Sequence, residues 1–167
     1  MNATFLAGGI AAALLFLSST ASCDIPAPIA VPDERPVATL HARGAQVYEC
    51  KADASGKPSW QFREPVATLI KDGKTVGLHY GGPSWELADG SVVVGKVAAR
   101  APGASASDIP LLKLEVVSRR GSGELTPVTT VLRITTKGGV AEGACPAAGA
   151  FLSVPYAADY VFYEKQR

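Results

Sequence analysis

Between residues 37 and 167, apolar and polar side chains alternate at every second position in run after run, and no run keeps helical spacing for ten positions. Period two is the mark of a strand with one covered face. In Ile109 to Val117, Leu112, Leu114 and Val116 share one face while Lys113 and Glu115 share the other. In Thr126 to Thr136, Val128, Leu132 and Ile134 align opposite Thr129, Arg133 and Thr135. Ala45–Cys50, Ser59–Ile70, Thr75–Tyr80, Ser91–Arg100 and Ala158–Tyr163 are further candidates, and Trp85 begins a short extended piece. The punctuation is dense: Asp53–Pro58, Asp72-Gly73, Gly81-Gly82-Pro83, Asp89-Gly90, Ala101–Asp108, Gly121-Ser122-Gly123 and Gly138-Gly139. Asp72-Gly73 between two apolar runs predicts a tight hairpin. Together these runs predict a mostly-β chain of about seven to nine short strands in a single antiparallel β-barrel or β-sandwich domain. The pattern leaves the choice between barrel and sandwich open.

The same alternation assigns faces. On Thr75–Tyr80, Val76, Leu78 and Tyr80 form the apolar side, which leaves His79 beside Gly77 on the other and places its imidazole near the surface. Near the C-terminus, Tyr160 and Phe162 oppose Val161 and Tyr163, as in a final strand buried on both sides.

The first residues follow a different rule. Met1 to Cys23 carries no charged side chain, and Ala3 to Leu17 is apolar or Gly except for Thr4. As a helix that run spans only about 22 Å, short of a hydrocarbon core of roughly 30 Å. Small residues follow at Ser18 to Ser22, the pattern of a secretory signal peptide, here residues 1–22. No Lys or Arg precedes the run, so the terminal amine alone supplies positive charge; a retained anchor helix is the alternative. Ser19-Thr20-Ala21 suits ordinary cleavage, whereas Thr20-Ala21-Ser22-Cys23 resembles a lipoprotein box, with Thr20 where Leu is usual. Residues 23–36, punctuated by Pro26, Pro28, Pro32 and Pro36, read as a Pro-rich tether, and residues 37–167 as one β-rich domain.

Composition narrows the compartment and the partners. The chain has 167 residues, 47% hydrophobic and 19% charged, a formal net charge of +1 and three cysteines. So balanced a charge gives no footprint for nucleic acid. Three cysteines divide as one plus two. In an oxidising compartment Cys50 and Cys145 would pair, closing a loop worth up to about 4–5 kcal/mol on the chain-entropy model. Cys23 is then the odd one, and lipidation there would be the protein's only attachment to a membrane. The expected location is the periplasm or cell envelope if lipid-anchored, or the exterior if secreted.

The densest chemistry lies between His79 and Ser91. Trp85 and Tyr80 would make an aromatic platform, with polar groups from His79, Glu86 and Asp89, suited to a sugar ring or another flat amphipathic ligand. The plainer alternative is two turns bracketing a strand, with Trp85 in the core and Asp89 and Ser91 serving only the turn. No catalytic set emerges. Ser84 lacks the second Gly of a nucleophile elbow, a His79–Asp89–Ser91 triad rests on proximity in sequence alone, and Glu86 and Asp89 specify no glycosidase separation. The two histidines, His41 and His79, form no HxH or HExxH, so no metal is expected, and no motif implies a cofactor.

Several motifs together resemble one family. They are Gly44-x-Gln46-x-Tyr48-x-Cys50, Trp60, Pro65-x-Ala67-x-Leu69, and His79-Tyr80-x-Gly82-Pro83-x-Trp85-Glu86-x-x-Asp89-Gly90-Ser91. Val128-Thr129-x-Val131-x-Arg133, Thr136-x-Gly138-Gly139, Cys145 and Val154-Pro155-Tyr156-x-Ala158-Asp159-Tyr160-x-Phe162-Tyr163 continue them. From about Arg43 to Tyr163 the chain resembles domain of unknown function 3455, found in exported bacterial and fungal proteins. After Ile109-Pro110 the family often has Trp where this chain has Leu111. The resemblance implies export and a single fold unit but no reaction. The expected function is a non-enzymatic binding module for a carbohydrate-like or small amphipathic ligand. A hydrolase of cell-wall or carbohydrate substrates is the alternative, and an inert structural envelope protein is the third.

Overall fold

The computed structural model describes residues 25–166. The expected signal peptide and the candidate lipid site at Cys23 lie outside the described residues. Eight strands follow in order: β1 (Glu34–Ala52), β2 (Pro58–Lys71), β3 (Lys74–Tyr80), β4 (Ser84–Leu87), β5 (Val92–Ala101), β6 (Leu111–Arg120), β7 (Thr130–Gly138) and β8 (Phe151–Lys165). Each pairs antiparallel with the next, and β8 pairs back onto β1, so the sheet closes on itself as a barrel. The open choice between barrel and sandwich is thereby decided. Because the chain simply goes up and down, connections β1–β2, β3–β4, β5–β6 and β7–β8 share one end of the ring. The other three share the opposite end with Glu34 and Lys165, which pair across the β1–β8 seam.

Local sequence explains several joints. Asp72 and Gly73 both take positive φ, 49° and 74°, giving the β2–β3 hairpin its tight turn. The seam continues past the strand ends, where Cys50 N–H donates to the Ala150 carbonyl at 2.8 Å. There Cys50 and Cys145 form the expected disulfide, with Cα atoms 5.6 Å apart and Cys50 fully buried.

The interior is one apolar cluster that includes Leu40, Leu69, Val93, Leu114, Val131 and Phe162 from six different strands. Burying each such side chain contributes about 1.5–3 kcal/mol relative to leaving it in water. Trp85, the largest fully buried side chain, enters from the four-residue β4. On the neighbouring β5, a Cβ on Gly95 would stand 3.0 Å from the indole Cζ3, so a larger residue there would crowd the ring.

Three expectations change. Ile29 sits in a 3-10 turn, Ala27–Ile29, and is wholly buried; Lys113 Nζ donates to the Ala30 carbonyl, and β1 already begins at Glu34. The described part of the expected tether is therefore packed against the domain rather than free of it, because its apolar Ile29 finds cover. On β3 the faces are reversed: Leu78 is 53% exposed and His79 only 2%. Pairing sets this, since His79 stands across from Ala67 and Trp85, both interior. On β7, Val131 belongs to the interior cluster while Leu132 is buried outside it. Arg133, two positions from Val131, therefore shares the interior face. It pairs with Leu112 on one side and Tyr160 on the other. The final strand is as expected: Tyr160, Phe162 and Val161 are all buried.

Candidate functional site

The interior is not filled throughout. At the end carrying the β3–β4 and β5–β6 connections a cavity of about 390 Å³ opens, within the usual range for small-molecule sites. All eight strands or their connections contribute to its wall. Beneath its floor lies an aromatic cluster that is almost wholly covered. His79 stacks on Trp85 with ring centroids 4.7 Å apart and planes 12° from parallel. Tyr160 tilts against His79 at 4.8 Å and meets Trp85 edge-on at 5.3 Å. Such contacts add about 0.5–1.5 kcal/mol beyond area burial and hold each ring in one orientation. At the rim stand Phe62, which is half exposed, Pro83, Pro110 and Arg100.

The polar groups of the wall are unevenly satisfied. His79 Nδ1 lies 2.8 Å from the Ser84 carbonyl. A carbonyl only accepts, so Nδ1 carries the proton and Nε2 holds the lone pair. Burial pushes the His79 pKa down to about 4; the Ser84 carbonyl opposes the shift, and the Arg133 charge adds to it. The ring is neutral at physiological pH. Gln46 and Trp85 also line the cavity, and Gln46 Nε2 and Trp85 Nε1 are buried without a hydrogen-bond partner. Gln46 lies near enough to the Tyr156 hydroxyl to lower its pKa, against the larger upward push of burial, yet its amide donors make no hydrogen bond of good geometry. An unmade buried bond costs about 1–3 kcal/mol.

Arg133 reaches the same space. Its Nε and Nη2 donate to the Pro110 carbonyl at 3.1 and 2.9 Å, fixing the guanidinium at the wall. Its charge acts on Tyr48, His79, Tyr156 and Tyr160. Among the described residues no carboxylate forms a salt bridge with it.

Of the five residues singled out in the sequence, the fold brings together two pairs and separates them. His79 and Trp85 meet inside the ring. Tyr80 and Glu86 meet outside it, where the Tyr80 hydroxyl donates to Glu86 Oε2 at 2.7 Å and Arg120 approaches the same carboxylate at 3.5 Å. The platform of Trp85 with Tyr80 is therefore not formed, because the sheet lies between them; Tyr160 stands in that place. Asp89 serves the turn. It accepts from Ser91 N and Ser91 Oγ at 2.8 and 2.6 Å and from Glu124 N at 2.7 Å, bonds that hold its carboxyl below the ordinary range. His41 is on the exterior with Asp159, at 2.9 Å. Among the described residues no three His, Cys, Asp or Glu side chains gather as a metal site, and no helix is long and apolar enough to cross a membrane.

Gln46, Tyr48, Arg133 and Tyr160 were not singled out as site residues. A signal existed, since Gly44, Gln46, Tyr48 and Cys50 recur at every second position and so share one face of β1. With Cys50 buried as a disulfide half, that face is the interior one.

The fold and the site define a closed antiparallel β-barrel with a cavity open at one mouth. Within that class the chain belongs to the family described as a protein of unknown function, DUF3455, whose model matches residues 31–164. No curated protein and no solved structure matches the chain.

Proposed function

We propose that this protein is a non-enzymatic binding module that holds a small amphipathic ligand in the mouth of its barrel. The carrying observation is the cavity of about 390 Å³ floored by the His79, Trp85 and Tyr160 rings. Because those rings are themselves almost wholly covered, a flat apolar ligand would lie in the mouth above them, against Phe62, Pro83 and Pro110, with Arg133 supplying donors at the side. The hydrolase alternative has less support. No Asp or Glu lines the cavity, and Glu86 and Asp89 are engaged elsewhere. Calorimetric titration with neutral oligosaccharides and small aromatic acids and amides tests the reading. One class is expected to bind, and Val97→Phe, which fills the wall, is expected to abolish that binding while the fold survives. Undiminished binding by the filled variant would place the ligand elsewhere.

Export belongs to the same proposal. It is supported by the uncharged apolar run Ala3–Leu17 and by the buried Cys50–Cys145 disulfide, which suits an oxidising compartment. Attachment through a lipidated Cys23 is proposed with it. Intact mass of the protein from its native host decides the point: cleavage before Cys23 with added acyl mass is expected, and a mature N-terminus without acyl chains overturns the anchor.

A further inference from the structure

Charge around the cavity is one-sided. Three of the lining residues, Arg63, Arg100 and Arg133, are cations, and none is an acid. Arg63 is balanced at the rim, with Nε 3.1 Å from Glu64 Oε1 and its guanidinium 5.1 Å from the Phe151 ring centroid. Arg100 and Arg133 have no carboxylate within salt-bridge distance among the described residues. Arg133 is the deeper of the two: half-buried, fixed by the Pro110 carbonyl, and facing the same space as the neutral His79. Water still reaches part of its guanidinium, and the rest of the wall is apolar or neutral, so an anion entering the cavity would meet a fixed cation with no competing carboxylate.

We infer that the ligand of this cavity is a flat apolar molecule bearing one carboxylate, with the anion against Arg133 and the body in the mouth against Phe62, Pro83 and Pro110, above the covered His79–Trp85–Tyr160 cluster. The inference rests on the cavity being a binding site and adds the chemical class of what it holds. A guanidinium with free donors matches a carboxylate, and a charged hydrogen bond is roughly twice as strong as a neutral one. One deep cation matches one negative charge. A phosphate would bring close to two, and the second would face only Arg100 at the exposed rim.

The test is calorimetric titration of the full chain with naphthoate, with its uncharged amide, and with cellobiose as a neutral sugar. Naphthoate is expected to bind at least about tenfold tighter than the amide, a ratio worth about 1.4 kcal/mol. Arg133→Gln is expected to erase that preference while leaving amide binding in place. Should loss of the Pro110 contact unfold that variant, Arg133→Lys keeps the charge, and Arg100→Gln, at the rim, is expected to cost less than Arg133→Gln. Equal affinity for naphthoate and amide, or binding of cellobiose in preference to naphthoate, overturns the carboxylate while leaving the cavity as a binding site. No binding of any probe up to its solubility overturns both.

Discussion

Residues 79 and 85 meet inside the ring, residues 80 and 86 outside it, and all four come from one short β3–turn–β4 unit. The inner pair is wholly or nearly wholly buried, stacked, and free of any carboxylate. The outer pair is a tyrosine and a carboxylate in a water-facing hydrogen bond, with an arginine nearby. Side chains adjacent in sequence thus have unrelated physical lives, since the pleat puts a sheet between them. Sequence density of chemistry is therefore a poor guide to a site on a strand; every second residue is the relevant unit.

That comparison can be broken most sharply at Trp85. Trp85→Ala is expected to lower unfolding stability by about 3–5 kcal/mol, since His79, Tyr160 and Phe162 all lose their partner; the urea midpoint reads it. His79 comes next, through pH. Its folded pKa, about 4, lies below the ordinary value of 6.5, so the unfolded chain binds the proton first. The neutral ring's contribution is fully present above pH 6.5 and is lost as pH falls towards about 4. The loss amounts to about 3 kcal/mol. His79→Phe, which keeps the stack, is expected to flatten the acid limb of stability between those values; an unchanged slope would show that another group governs it. Tyr80→Phe and Glu86→Gln come last, each expected to change stability by less than about 1 kcal/mol. A larger loss at either would show that the outer pair matters to the fold as much as the inner one.

Much of the fold is legible in the sequence because it depends on local chemistry. Asp72-Gly73 announces its turn by backbone preference, and the alternation of Leu112, Leu114 and Val116 survives as an inward face. Tyr160, Val161 and Phe162 are buried as the doubly apolar run implies. The faces of β3 and β7 are less legible because they depend on partners. An apolar side is taken as inward, but near a cavity the inward side carries His79 and Arg133. Leu132 is covered outside the interior cluster, while Leu78 remains half exposed. Register shifts add to this. Where Val47 and Tyr48 pair with Glu64 and Phe62, the extra residue Arg63 sits on β2, and between Ile134 and Lys137 the extra residue sits on β7; each inverts the alternation of the strand that carries it, while β1 keeps its own. The site was half legible for the same reason: His79 and Trp85 were identified by residue type, whereas Gln46 and Arg133 gain their meaning only from the wall they share.

Closing the ring with the first strand and the last also sets an order of events. β1 spans Glu34–Ala52 and finds one of its two partners in β8, at Phe151–Lys165. Each strand from β2 to β7 has both neighbours next to it in chain order. During synthesis β1 therefore keeps an open edge until β8 has been made, and an open edge is a template for pairing with another molecule. A chain that stops short of β8 retains seven strands and two raw edges, so even a modest C-terminal truncation turns a sealed surface into an adhesive one.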